Sequence, residues 1–184
     1  MVLILVINPI CSFSQDKDKL VEWSASQKLL TSHFTLEAPT GRLEKEIGRG
    51  RRSILEGFIF TGIDYSYHQI NKDVSFSVKS FMDPLKSWIR DTTNKETLEH
   101  EQAHFNITEI YSRKIRRDLS FIKNANDAKK IYGKYIKELQ EEQDRFDDSH
   151  HGEVGVEPEW QLKIENELLE LENWSKTTFE ILLK

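Results

Sequence analysis

The chain has 184 residues, enough to bury one sizeable hydrophobic core but short for two full domains. Charged residues make up 31% of it and the formal net charge is -5, so it has neither the basic excess of a nucleic-acid binder nor the low hydrophobicity of a disordered tail. Nucleic acid is therefore not an implied partner.

The first residues, MVLILVINPICSFSQ, open on an apolar run from Val2 to Ile7, and Ser12 and Ser14 supply small residues ahead of Gln15. This is the apolar core and cleavage pattern of a secretory signal peptide over residues 1–14, without the usual positively charged start. The run is too short to span a bilayer. The alternative, a buried N-terminal strand, sits badly with the polar QDKDK that follows at once. The expected mature chain is residues 15–184, a single domain without a membrane span, located in the periplasm, the cell envelope or outside the cell. Cys11 is the only cysteine and lies inside the leader. As a lipid acceptor it lacks the small residues that usually precede one. The mature chain then has no thiol, and any metal must be held by nitrogen and oxygen ligands.

After LVEWSASQKLLTSHF comes the Gly- and Arg-rich stretch GRLEKEIGRGRRS, where Gly41, Gly48 and Gly50 interrupt any helix and a solvated loop is expected. Two strands follow. Ile63, Tyr65 and Tyr67 alternate with polar residues in GIDYSYHQI, as do Val74, Phe76 and Val78 in DVSFSVKSFM, and residues 69–72 form a plausible hairpin connection. The pair predicts an antiparallel sheet with one buried face, and the strand from Val74 to Phe81 is expected to offer an open edge to an extended peptide. Beyond Pro84 the period turns helical. His100, His104, Ile107, Tyr111, Ile115, Leu119 and Ile122 form one stripe of a helix starting near Thr93. KNAND breaks it, Asp127 can cap a second helix bearing Ile131, Tyr135, Leu139 and Phe146, and Trp160, Ile164, Leu168 and Leu171 mark a third.

Within the first helix His100, Glu101 and His104 stand in the order H-E-x-x-H. Residues four apart on a helix sit nearly above one another, with Cβ atoms about 5 to 6 Å apart, so two imidazoles there can converge on one zinc ion. Glu101 lies roughly 100° further round and can instead hold a water that the ion polarises, acting as general base. The bland alternative is a pair of core histidines, each of which would need its own buried polar partners. A third ligand is sought by helix length. Nineteen residues separate His104 from Lys123, close to ~28 Å at about 1.5 Å per residue, and an antiparallel second helix returns level with His104 at Phe146. There FDDSHHG brings Asp147, Asp148, His150 and His151 alongside the first two histidines. His33 and His68 stay outside this group and read as surface or strand residues.

The stretch HEQAHFNITEIYSRK resembles the signature of a bacterial family of predicted secreted zinc-dependent proteases, approximately H-E-Q-[GA]-H-F-D-I-[TSA]-E-[IV]-Y-A-R-K. The resemblance extends upstream to VEWSASQKLLTSHF and to the segment from Phe81 to Trp88, and downstream to RFDDSHHG and EWQLKIENEL. It implies a zincin-like α+β fold, a small antiparallel sheet packed on the motif helix with further helices behind it. It also implies Zn2+ held by His100 and His104, with Glu101 as the catalytic base. The third ligand is expected from a family segment Y-D-x-x-T-x-H, here changed by Phe146, Ser149 and a spacing one residue shorter. His151 is assigned, with His150 and Asp147 as alternatives. His33 and Asn106 replace family aspartates, and the sequon that Asn106 forms with Thr108 is discarded because a glycan would not fit on this helix. The expected function is a secreted or envelope-facing zinc hydrolase, a peptidase acting on a peptide or protein substrate. Its rivals are a catalytically silent zinc-binding module of the envelope and a metal-free envelope binding protein.

Overall fold

The structure, a computed structural model, describes residues 20–37, 56–149 and 155–183. The expected leader, the Gly- and Arg-rich loop, His150 and His151 lie outside these residues. The described chain is α+β. Val21–Glu22 (β1), Gly57–Phe58 (β2), Thr61–Ile70 (β3), Asp73–Met82 (β4) and Trp88–Ile89 (β5) come first. The helices Lys95–Leu119 (α1), Asn126–Ser149 (α2) and Pro158–Glu170 (α3) follow, and Thr178–Leu182 (β6) closes the series. Single 3-10 turns at Thr31–His33 and Glu172–Trp174 complete the regular elements.

The predicted hairpin is present and its turn explains its register. β3 and β4 pair antiparallel from Thr61 opposite Met82 to Ile70 opposite Asp73, which leaves Asn71 and Lys72 as the connection. A two-residue connection needs a positive φ at its first position, and Asn71 supplies one at 57°. In this register Ile63, Val74, Phe76 and Val78 turn into the core while Ser66, His68 and Ser75 face outward. Tyr65 stacks on Tyr132 of α2 with ring centroids 4.9 Å apart.

The expected open edge on β4 is not there. β4 is the centre of its sheet, with β3 on one side and β1 and β6 on the other. β1 covers Phe81 and Met82, and β6 covers Asp73 to Ser77. Between them the Val78 N–H donates to Thr177 O at 2.9 Å and the Trp23 N–H to Ser80 O at 3.0 Å. The backbone groups that a peptide would need are already used by the two ends of the chain. The outer edge of β3 is the longest one left, and there the Tyr132 hydroxyl donates to Ile63 O at 3.1 Å.

α1 is the element on which the others pack. Asn94 caps it, one residue after the expected start, accepting from the Thr97 N–H at 3.1 Å. Its apolar residues Ala103, Ile107, Ile110, Ile115 and Leu119 lie in a core shared with β3, β4, α2 and α3. Phe105 joins a second core with Leu29, Phe34, Ile59, Met82 and Ile89. α2 runs antiparallel to it, since Asp118 meets Tyr135 at one end and His104 meets Gln143 at the other. Asp127, the expected cap, falls in the first turn of α2 rather than ahead of it.

Burial of α1 on opposite faces traps charge inside the protein. Arg113 and Arg116 are fully buried, and both reach the Glu109 carboxylate, at 3.0 and 2.8 Å. Their remaining donors go to Leu168 O, Glu172, Val78 O and Trp174 O, and Ser80 donates to Glu109 at 2.6 Å. The network ties the sheet and the C-terminal segment to α1. Glu109→Gln keeps the shape but leaves two guanidinium groups without that charge, and should cost about 3–5 kcal/mol in urea unfolding. Lys137→Ala, at a solvent-exposed ion pair, should stay within about 0.5 kcal/mol of the parent.

Candidate metal centre

His100 and His104 stand on consecutive turns of α1, and Asp147 is brought to them by the last turn of α2. Phe146, fully buried, fixes the rings. His100 stacks on it and His104 meets it edge to face, both with centroids 4.8 Å apart, and Trp160 of α3 backs it at 5.2 Å. Helix length alone thus correctly places Phe146 level with the two histidines.

The other side of each ring is held by a hydrogen-bond acceptor. His100 Nδ1 lies 3.0 Å from Gly155 O, and His104 Nδ1 contacts Gln143 Oε1. The Gln143 amide is itself oriented, because its Nε2 donates to His104 O at 3.0 Å and to Thr108 Oγ1 at 3.1 Å. Only its oxygen can then face the imidazole. With Nδ1–H donated outward on both rings, Nε2 is the atom left to each for a ligand.

Those two Nε2 atoms are 3.1 Å apart, and Asp147 Oδ1 lies 3.5 Å from one and 3.0 Å from the other. Each ring therefore has an acceptor within reach of both nitrogens, an arrangement that a cation among the three atoms would satisfy. Donors about 2.0–2.1 Å from a tetrahedral ion are themselves ~3.3 Å apart, so the spacing fits such an ion. Among the described residues no other trio of metal-binding side chains converges in this way. His100 is 3% exposed, whereas the His104 and Asp147 side chains are 12% and 10% exposed, so the group reaches the surface on one side.

Glu101 lies beside this group, 3% exposed, on the face of α1 covered by Gly57 and Ile59. Burial pushes its pKa up to about 7. His100 and a hydrogen bond from the Ile59 N–H pull it down, and the Asp147 charge adds to the rise. Asp147 moves the other way. Burial alone would raise it, but the His104 and His100 rings outweigh burial and hold its carboxyl well below the usual range.

His100, Glu101, His104 and Asp147 come together, while His150 and His151 lie outside the described residues. His68 is an outward strand residue, and His33 ends a 3-10 turn where it accepts from the Leu30 N–H. Asn106 accepts from Trp23 Nε1 and Gln102 Nε2, each at 2.9 Å. Gln143 and the Gly155 carbonyl are not legible in the motif. A signal for Gln143 does exist, since it precedes Asp147 by four residues on α2, as His100 precedes His104 on α1.

Residues 79–154 match the family described as "Bacterial protein of unknown function (DUF922)". The matched stretch runs from late β4 through α1 and α2, and it contains all four residues of the group. Neither the curated proteins nor the solved structures give a match to the chain.

Two measurements follow from this geometry. Gln143→Ala frees the His104 ring, and affinity for a divalent cation should fall about 10- to 100-fold in a competition with a chelating dye. The second concerns Glu101 in metal-free protein. Its folded pKa of about 7 exceeds the ordinary 4.5, so the native state holds a proton that the unfolded state releases between those values. Its contribution to stability is therefore present below pH ~4.5 and is lost as the pH rises to about 7. Relative to Glu101→Gln, the parent should lose up to ~3 kcal/mol across that window. Parallel curves for the two proteins would show that Glu101 is not the group responsible.

Proposed function

We propose that this protein is a zinc-dependent hydrolase of zincin-like type, a peptidase acting on a peptide or protein substrate at the cell envelope or outside the cell. One observation carries the reading. His100 Nε2, His104 Nε2 and Asp147 Oδ1 converge within 3.5 Å of one another while both Nδ1 atoms are engaged elsewhere. Two nitrogens and one carboxylate oxygen form a donor set suited to zinc, and His100, His104 and Asp147 would hold it. Zinc bound there supplies a Lewis acid that polarises a carbonyl and acidifies a water.

Glu101 does the proton work. Its carboxylate takes a proton from the attacking water and gives it to the leaving amine, and burial raises its proton affinity above that of an exposed carboxylate. The hydrogen bond from Ile59 fixes where that carboxylate stands, and its burial keeps bulk water from competing for the proton. Asp147 stays ionised under the same conditions, so the two carboxylates have separate roles. Among the described residues no helix is long and apolar enough to cross a membrane.

Elemental mass spectrometry on the purified chain should find close to one zinc per molecule, and none in a His100→Ala, His104→Ala double variant. Glu101→Gln should keep the zinc and lose turnover on a peptide library by about 10²- to 10⁴-fold. Zinc in both proteins with no difference between them would mark a silent zinc-binding module. Absence of zinc, with melting unaffected by a chelator, would leave the metal-free binding protein as the better account.

A further inference from the structure

We infer that Gly57 is a positioning residue for Glu101. This rests on the reading of Glu101 as the base. β2 crosses α1 so closely that a Cβ at position 57 would stand 2.8 Å from Thr97 Cγ2, 3.0 Å from Glu101 Oε1 and 3.4 Å from Ile89 Cγ1. Gly57 has no positive φ, so the absence of a side chain here serves close approach rather than backbone shape. β2 pairs with β5 through Gly57 opposite Ile89 and Phe58 opposite Trp88, so it cannot retreat from α1 without breaking that sheet.

Thr97 forms the second wall. It lies one turn before Glu101 on α1 and is 2% exposed, and its hydroxyl is buried without a hydrogen-bond partner. A threonine whose hydroxyl bonds to nothing contributes its methyl, and that methyl is the atom nearest to Gly57. The two neighbours would not yield equally to a new Cβ. Thr97 is β-branched and stiff on a helix, whereas the Glu101 carboxylate ends a flexible side chain. The easy response is for the carboxylate to leave the Ile59 N–H. Gly57, Thr97 and Ile59 together thus fix the base from three sides. Gly57 and Ile59 lie outside the stretch that matches the family.

The test separates the two walls. Thr97→Ser deletes the methyl, Thr97→Val keeps it and removes the orphan hydroxyl, and Gly57→Ala is made alone and on the Thr97→Ser background, all in the zinc-loaded full chain. Zinc content, urea midpoint, exchange of the Ile59 amide and peptide turnover are measured. Thr97→Val should match the parent in exchange and turnover. Gly57→Ala with Thr97→Ser should keep zinc and the urea midpoint of Thr97→Ser. Its Ile59 amide should exchange about tenfold faster, and turnover should fall roughly a hundredfold in kcat with KM unchanged.

Ile59 exchange and turnover in that double variant within about twofold of Thr97→Ser would overturn the proposal. Loss of folding on both backgrounds would overturn it too, because the backbone and not the carboxylate would then be giving way. If the parent itself cleaves nothing, the hydrolase reading has failed, and the Ile59 exchange still decides whether Gly57 positions Glu101.

Discussion

A helix buried on opposite faces cannot leave its polar groups to water, and most of this structure is arranged around that constraint on α1. Thr97, His100, Glu101, Thr108, Glu109, Ser112, Arg113 and Arg116 are all buried on it. A polar group taken out of water without a partner costs on the order of 1–3 kcal/mol, and an unpaired charge more. Apart from the Thr97 hydroxyl, these groups find partners on the elements packed around α1. Ser80 and Val78 O reach in from β4, Gln143 from α2, Leu168 O from α3, and Trp174 O from the segment before β6. α1 is thus held in place by directed bonds as well as by its apolar stripe, which fixes its rotation and translation more tightly than packing of Ile and Leu would.

That fixed rotation gives the candidate metal centre its shape. In the C-terminal half of α1 the polar groups cancel within the protein, with Glu109 set between two arginines. In the N-terminal half Gly155 O, Gln143 Oε1 and Asp147 Oδ1 stand against the His100 and His104 rings, and a cation would complete the set. The same burial acts on both nearby carboxylates, yet they diverge. Desolvation wins at Glu101, which has one N–H donor, and loses at Asp147, which has two imidazoles. Separation of this kind between neighbouring acids is how one site keeps an ionised group and a proton carrier side by side.

What was legible in the sequence follows from how far each signal extends along the chain. The β3–β4 hairpin, the three helices and the meeting of His104 with Phe146 come from long periodic segments whose spacing translates directly into distance. β1, β2 and β5 have two residues each and carry no period at all. β6 has five, and although Phe179 and Ile181 do alternate with polar residues, so short a run after a helix reads equally as its continuation. That missing strand is why β4 looked like an edge. The pieces of the site that escaped notice, Gln143, Gly155 and Ile59, act through a carbonyl, an amide or a single N–H. Backbone groups leave no residue-type pattern, and glutamine is so common on helix surfaces that the four-residue spacing of Gln143 from Asp147 is a weak signal.

A carboxylate as third donor would have a consequence for the whole centre. A divalent ion held by His100, His104 and Asp147, with Glu101 ionised beside it, carries no net charge, whereas three histidines would leave an excess positive charge in a site of the same depth. Burying a neutral cluster costs far less than burying a charged one. The Asp147 charge also raises the proton affinity of Glu101, so it would work against the lowering that a nearby cation brings. Asp147 would therefore lower the cost of burial and adjust the base together, and it can do both because Phe146, one residue before it, is fully buried against the two rings it must meet.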